Sequence, residues 1–334
     1  MLVAEPALAM YTPSQRQRVS SFAAVDSALD LFTTQMRCHV PVEMAIRDGL
    51  GGSRWPAKDN APEQQIAMFP NMIAALNGAF DDISRAMRLH RVWVALAHED
   101  IGDQHRRTTL GPLWMLVNYF AFVGTFVFVF VTKDTSNPSY IAYVAIGMLV
   151  WFYLSETITM SVSLFQREAS FIQGTTLPLF VYVMRLTMQC IIRAGYSLAG
   201  CVLILLLSGY GINTNWLLSL VGLLLLILAT PAFVIGFAFL GAFFPDSEFI
   251  VGNLMRVGMF LTPVFWVYSG QEGIQKYAYH WNPFTYFLEG VRGPITAGIF
   301  PTHALAVTGY ICLGLWALAL LLLGLYRKRI VFLI

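Results

Sequence analysis

Hydrophobic positions are distributed unevenly along this chain. From about residue 110 onward they form runs of roughly 20 residues, the length that a helix needs to cross about 30 Å of hydrocarbon. These runs predict six spanning helices, and the mid-run prolines Pro231 and Pro263 predict kinks in the fourth and fifth. The pattern is typical of an all-α polytopic membrane protein. The predicted spans lie at about 110–132, 140–163, 180–208, 216–243, 249–268 and 303–326.

The residues before the first run follow a different pattern, with frequent charges and no apolar run long enough to cross a bilayer. Residues 1–63 are interpreted as an N-terminal cytoplasmic extension that contains a linker at Gly49–Pro56. In residues 64–109, arginines recur every third position on one helix face, while Leu and Trp residues lie on another. This arrangement predicts an amphipathic helix in the membrane interface. The residues assigned to the interface are Arg85, Arg88, Arg91 and Trp114.

The charge distribution predicts the orientation of the chain. Only 12% of the residues are charged, whereas soluble domains average about 25%, so the composition excludes an ordinary soluble protein. Arg106, Arg107 and Arg167 fall on one side of the predicted spans with the basic residues at 327–329, and the short loops on the other side hold only Lys133. By the positive-inside rule, both termini are expected to be cytoplasmic. The net charge of +2 gives no indication of nucleic-acid binding.

The sequence offers little that could catalyse a reaction. The four cysteines are far apart, and no Ser/His/Asp set or His/Cys cluster stands out. The phosphate-binding pattern G-x-x-x-x-G-K-[ST] is absent from the sequence. The chain is therefore expected to be no enzyme and to hold no metal or cofactor of its own. A membrane enzyme that acts on lipid-linked sugars stays open as an alternative, with Asp246 and Glu248 as its candidate acidic residues.

Charged residues also occur within the apolar runs, where a charge is costly and usually faces a partner or a cavity. Glu156 precedes the loop at 165–178 by about eight residues, and Arg185 follows the loop by about seven. At a rise of about 1.5 Å per residue, these two side chains lie at nearly one depth on antiparallel neighbours. The sequence thus predicts an ion pair between Glu156 and Arg185, with a role in substrate passage as the alternative.

The outward loop at 269–302 is too long for a simple turn. Asn282–Pro283 predicts the start of a helix, because asparagine caps free N–H groups and proline fits the first helical position, and Gly293–Pro294 predicts its end. A re-entrant hairpin that lines an exit is one interpretation, and an aromatic belt at the outer interface is the other. Glu289 and Arg292 are three residues apart and could pair. The hairpin interpretation assigns a path or gate role to Tyr277, Tyr279, Trp281, Tyr286, Phe287, Glu289 and Arg292.

Three motifs carry a resemblance to a known family. They are Leu110-Gly111-Pro112-Leu113-Trp114 after a basic pair, Leu261-Thr262-Pro263-Val264-Phe265, and Asn282-Pro283-Phe284 followed by Glu289 and Arg292. Together they resemble the ABC-2 permeases, most closely the branch that exports polysaccharides such as O antigen, capsule and teichoic acid. The resemblance covers roughly residues 85–334 and leaves the N-terminal extension without a counterpart.

The resemblance implies two copies of this chain joined to two separate nucleotide-binding ATPase subunits, which would hold the ATP and Mg. It also implies a location in the bacterial inner membrane. It places an ATPase-coupling helix at Phe165–Leu177, where the residues alone leave both a plain connector and a docking element open. The residues assigned to coupling are Arg167, Glu168, Phe171 and Ile172.

The favoured interpretation is the permease subunit of an ATP-driven exporter that moves a lipid-linked polysaccharide across the inner membrane. An exporter of a lipid or a small amphiphile is the alternative within the same family. The membrane enzyme, and a channel or scaffold with no energy input, are alternatives of other classes.

Overall fold

The computed structural model describes residues 72–130, 138–211, 214–268, 270, 272–327, 329 and 330. These residues belong to one compact unit, Ile66–Ile334. The predicted N-terminal extension at 1–63 lies outside the described residues. The described part of the chain is helical and contains no strand.

Two helices precede the first apolar run. They are α1 at Met72–Arg88 and α2 at His90–His105, separated by a turn at Leu89. The amphipathic region at 64–109 therefore contains a break that the arginine spacing does not predict. The helix α2 packs against α7 (Leu179–Leu207), while α1 packs against α12 (Thr302–Tyr326).

Four of the six predicted spans are confirmed as helices long and apolar enough to cross a membrane. They are α4 (Pro138–Val162), α7, α8 (Asn215–Phe243) and α12. The first predicted span contains the shorter α3 (Leu113–Phe130), an apolar helix of 18 residues, and its passage through the bilayer stays a prediction.

The fifth predicted span, at 249–268, is not one continuous helix. The helix α9 runs only from Ser247 to Leu261, and 15 residues cover only about 22 Å. It ends directly before Thr262–Pro263, because proline has no N–H to donate and disfavours a helical conformation in the residue before it. The prediction of a kinked span was wrong at this point, since the chain leaves the helix and does not re-enter it.

Short helices fill the two long loops. On one side lie α5 (Leu164–Arg167) and α6 (Ala169–Gly174), and on the other lie α10 (Ile274–His280) and α11 (Pro283–Ala297). The predicted helix start at Asn282–Pro283 is confirmed, because Asn282 Oδ1 accepts a hydrogen bond of 3.0 Å from Phe284 N.

The predicted end of that helix at Gly293–Pro294 is wrong. The helix α11 passes through Pro294 and ends at Ala297, where Gly298 follows with a φ of 66°. A proline in a helix leaves the carbonyl four residues earlier without its donor, here Gly290. That carbonyl faces Gly222 of α8 so closely that a Cβ at residue 222 would overlap it. Ser219 Oγ donates to the neighbouring Val291 O at 2.6 Å, so α8 supports α11 where proline weakens it.

The helix α8 lies at the centre of the packing, because it contacts α4, α11 and α12. Close backbone approach near its C-terminal end depends on Gly241, where a Cβ would overlap Val162 O of α4. Gln166 Nε2 of α5 donates to Gly241 O at 3.2 Å. The short helices after α4 are therefore anchored on the same central helix.

Candidate functional site

A polar network built around Arg185 joins three elements on the side of α5 and α6. Arg185 Nε and Nη2 donate to the two carboxylate oxygens of Asp100 at 2.6 Å each, and Nη1 donates to Glu168 Oε2 at 2.7 Å. Gln189 Nε2 also donates to Asp100. A two-pronged guanidinium–carboxylate contact fixes orientation as well as distance. The network thus links α2, α7 and the turn between α5 and α6.

A second charged pair lies farther along α7. Arg193 Nη1 donates to Glu156 Oε1 of α4 at 2.6 Å, and Nη2 donates to Gln104 Oε1 of α2 at 2.8 Å. The Arg193 side chain is buried, whereas the Glu156 side chain is 38% exposed. The same two helices, α2 and α7, are therefore joined twice by polar contacts.

The predicted pair between Glu156 and Arg185 is wrong. Glu156 pairs with Arg193, which is eight residues and about 12 Å farther along α7 than Arg185. The depth argument treated the loop as symmetrical, but α5 begins directly after α4 and shifts the register of the two helices. It also left out Asp100 on α2, the carboxylate that receives Arg185.

A signal for the correct partners is present in the sequence. Asp100 and Gln104 are four residues apart, and Arg185, Gln189 and Arg193 follow one another at the same spacing. Residues four apart share a helix face, so each set forms a polar stripe. Only the packing of α2 on α7 brings the two stripes together, and that contact joins residues about 85 positions apart in the chain.

The four residues assigned to coupling have different environments. Phe171 is 56% exposed on α6, and Arg167 is also exposed, with its Nη2 donating to Met160 O at 3.0 Å. Glu168 is held by Arg185 and Ile172 is buried. The side chain of Ile172 packs into the core, so its contact with an ATPase stays a prediction. The helix α6 presents Phe171, and Glu168 connects that helix to the network.

The helix α1 makes a contact that sequence reasoning missed. Asp82 Oδ2 accepts a hydrogen bond of 2.9 Å from Phe180 N, and so satisfies a free N–H at the start of α7. The residue before α7 is Pro178, which has no side-chain oxygen to do this. Burial raises the pKa of the Asp82 carboxyl, although the hydrogen bond from Phe180 N opposes the shift. One turn earlier on α1, Gly78 O accepts a hydrogen bond from Arg327.

The residues assigned to the membrane interface are all at the surface of the chain. Trp114 is 40% exposed at the start of α3. Arg85 and Arg88 of α1 and Arg91 of α2 are exposed as well.

On the opposite side of the protein, Arg292 of α11 is fully buried. Its Nη1 donates to Pro263 O at 2.7 Å, its Nη2 donates to Glu289 Oε1 at 2.5 Å, and its guanidinium carbon lies 3.6 Å from the centre of the Tyr143 ring. Glu289 and Arg292 therefore pair, as their spacing indicates. The carboxylate, the carbonyl and the aromatic face stabilise the buried charge, while Arg292 Nε makes no hydrogen bond to another described residue.

The segment after α9, residues 262–266, is held by side chains instead of helical hydrogen bonds. Tyr140 and Tyr143 donate to Phe265 O and Trp266 O, each at 2.9 Å, and Asn282 Nδ2 donates to Thr262 Oγ1 at 2.7 Å. Irregular backbone inside a membrane is tolerated only where protein or water satisfies its hydrogen-bonding groups. In this segment, side chains of α4 and the residue before α11 donate the hydrogen bonds.

The aromatic residues assigned to the path are not equivalent. Tyr277 and Trp281 are 66% and 82% exposed, whereas Tyr279 stacks on Tyr268 with a centroid distance of 4.8 Å. Tyr286 is partly buried, and its hydroxyl donates to His280 O at 2.8 Å. Phe287 is buried against Phe233. Phe287 takes part in the packing between α8 and α11, so its assignment to the path stays a prediction.

The structure gives no support to the acidic pair proposed for an enzyme. Asp246 and Glu248 are exposed at the start of α9, where negative charge stabilises a helix N-terminus. Within the described residues, no group of three or more His, Cys, Asp or Glu lies close enough together to hold a metal ion.

Comparison with known proteins gives matches to the part of the chain that contains these networks. Residues 91–295, more than half of the chain, match the ABC-2 type transporter family. The chain is also similar to the O-antigen export system permease protein RfbA of Klebsiella pneumoniae, with 22% identity over 178 residues that cover 52% of this chain and 68% of the relative. The matched region contains α3 to α11 and nearly all of α2, with both polar networks and the buried Arg292. This chain belongs to the ABC-2 type transporter family.

Proposed function

We propose that this chain is the permease subunit of an ATP-driven exporter that moves a lipid-linked polysaccharide outward across the bacterial inner membrane. Membership of the ABC-2 family supports a transport role, and the similarity to an O-antigen export permease supports a glycan substrate. Two copies of the chain would work with two ATPase subunits, and ATP and Mg would bind there. Both termini would be cytoplasmic.

The observation that carries this proposal is the connection from α6 to the helices that cross the membrane. Glu168 at the start of α6 binds Arg185, and Arg185 binds Asp100. An ATPase that moves α6 would thus act on α7 and α2 together. Transport of this kind is a population shift between arrangements, biased by the nucleotide state of the partner, so the permease itself needs no reaction chemistry.

Exposed Phe171 is the residue of α6 best placed to contact the ATPase. We expect Phe171→Ala to lower co-purification with the ATPase and to lower export, while the permease keeps its expression and thermal stability. The matched control is Phe244→Ala, which removes a phenyl ring of similar exposure at the end of α8.

The test is affinity purification of the tagged chain after co-expression with the ATPase encoded beside it, followed by measurement of ATP hydrolysis and of surface glycan. Failure to recover any ATPase with the wild-type chain would contradict the proposed function. If Phe171→Ala and Phe244→Ala give the same recovery of ATPase and the same export, the docking role of α6 is contradicted, but the proposed function is not. Normal complex formation with export of a lipid instead of a glycan would favour the small-amphiphile alternative.

A further inference from the structure

An open cavity of about 440 Å³, with a lining that is partly polar, lies between α2, α3, α4 and α7, next to the Glu156–Arg193 pair. On α3 its lining extends from Met115 to Phe122, two to nine residues after the helix begins at Leu113. This corresponds to about 3–14 Å along the helix axis. With the orientation proposed above, the cavity lies in the cytoplasmic leaflet, at the depth where an amphiphile has its polar head and the start of its chain.

The lining contains more polar groups than the packing of the helices uses. The side chains of Asn118, Ser155 and Ser197 line the cavity and make no hydrogen bond to another described residue. Arg193 is more than nine-tenths buried, and its Nε also has no partner among the described residues. Polar groups without partners are costly at membrane depth, so this lining suits a polar occupant.

The charges of the lining indicate which polar occupant fits. Glu156 neutralises Arg193 at 2.6 Å, and the His105 ring of the lining is hydrogen-bonded to Ile101 O at 3.1 Å. The cavity therefore has no uncompensated guanidinium for a phosphate, and a phosphate would lie close to a carboxylate. A sugar ring carries no charge, and its hydroxyl groups both donate and accept. Such groups match an amide, two hydroxyls and an ion pair, because hydrogen bonds to charged groups are stronger than those between neutral groups.

The remaining wall is aromatic. The rings of Phe122 and Phe152 meet edge to face, with centroids 5.3 Å apart, and Phe122 is half exposed. Flat aromatic faces pack well against the apolar C–H face of a sugar. The volume falls within the range of about 300–1,000 Å³ that is usual for small-molecule sites.

We propose that this cavity binds one or two sugar residues of the exported amphiphile at the cytoplasmic leaflet, while the phosphate linkage stays outside the cavity. The inference rests on the proposed function and adds a subsite to it. It assigns hydrogen-bonding roles to Asn118, Ser155 and Ser197, and a stacking role to Phe122.

The test measures protection of a cysteine placed in the cavity. Met115→Cys, at a lining position with no assigned binding role, is prepared in the full-length chain in lipid nanodiscs, with Cys38→Ser as background, because the other three cysteines are buried. Its reaction with N-ethylmaleimide is followed with dodecyl maltoside or dodecyl phosphate, which share one alkyl chain and differ in the head group. Both probes are kept below their micelle concentrations.

Dodecyl maltoside is expected to slow the labelling about tenfold at ten times its Kd, and dodecyl phosphate to leave the rate unchanged. Asn118→Leu should abolish the protection without loss of thermal stability, because it removes a polar group from a membrane helix. The control Thr109→Cys is exposed outside the cavity, and its labelling rate should not respond to either probe.

Three results would overturn the inference. Equal protection by dodecyl phosphate would mean that the head group is recognised without regard to sugar. No protection by either probe would mean that the cavity is a gap in the packing, and unchanged protection in Asn118→Leu would place the binding elsewhere. The protection assay needs no ATPase and no export, so its failure leaves the proposed function standing. In turn, failure of co-purification with an ATPase would leave the protection by dodecyl maltoside standing.

Discussion

The pairing of Glu156 with Arg193 can be tested against the pairing that the sequence predicts. Glu156→Gln leaves Arg193, with a side chain only 9% exposed, without a counter-charge. Breaking a buried pair from one side costs about 3–5 kcal/mol. Gln104 still accepts from Arg193 Nη2 at 2.8 Å, so we expect the lower end of that range, about 3 kcal/mol.

The reverse change should cost less. Arg193→Met leaves Glu156, whose side chain is 38% exposed, so water can screen its charge and the expected loss is about 1–2 kcal/mol. The double variant removes both charges and should lose little more than Arg193→Met alone. The two single losses should therefore exceed the double loss by about 2–3 kcal/mol, which is well above the 0.5 kcal/mol expected of independent sites.

The measurement is thermal unfolding of the four proteins in one detergent, where about 1 kcal/mol corresponds to an apparent Tm shift of about 2–4 °C. The matched cycle combines Glu156→Gln with Arg185→Met, because Arg185 carries the same charge and binds Asp100 and Glu168 instead. We expect coupling in the first cycle and additivity in the second. Additive losses in the first cycle, or coupling only in the second, would refute the assignment.

Two further predictions concern the helix contacts. Gly222→Val should destabilise the protein by several kcal/mol, because the new side chain would meet Gly290 O. Gly236→Val on the same helix has open space at its Cβ and should cost about 1 kcal/mol or less, so equal Tm values for the two variants would contradict the prediction. The variant Asp82→Asn keeps an acceptor for Phe180 N. Because burial raises the pKa of Asp82 in the folded state, the wild type should lose stability relative to this variant as the pH rises from 3.8 through the raised pKa. A difference in Tm that stays constant across acidic pH would count against this prediction.

The sequence predicts the spanning helices well where the requirement is simple. A helix that crosses hydrocarbon needs about 20 apolar residues, and four such runs form the expected helices. It also predicts the start of α11, because the capping interaction of Asn282 is local and involves residues two apart.

The same reasoning fails where the backbone depends on residues far away in the chain. The apolar run at 249–268 continues past Leu261, so hydropathy alone cannot show that the helix ends there. What permits the end is the set of donors from Tyr140, Tyr143 and Arg292, which satisfy carbonyls 29 to 125 residues away. The partners of Arg185 depend in the same way on the docking of α2.

The last prediction concerns α10 and α11, which the sequence interpretation assigns to a hairpin at an exit. Replacement of Arg292 cannot distinguish a gate from a structural residue, because its loss would leave Glu289 and Pro263 O without their partner and would destabilise the fold in either case. Exposed residues of α10 and the turn after it make a cleaner test. Tyr277 and Trp281 can be truncated there without creating a cavity.

If aromatic faces guide a glycan at the exit, the double variant Tyr277→Ala/Trp281→Ala should lower export several-fold with unchanged Tm and expression, because each ring would offer a flat apolar surface to a sugar. Ile274→Ala is the matched control, since Ile274 is 81% exposed on the same helix but has no ring. Surface glycan is measured at equal protein level. Unchanged export in the aromatic variant would leave these residues only an anchoring role. An equal loss of export with Ile274→Ala would show that this end of the protein requires exposed apolar area and not an aromatic face.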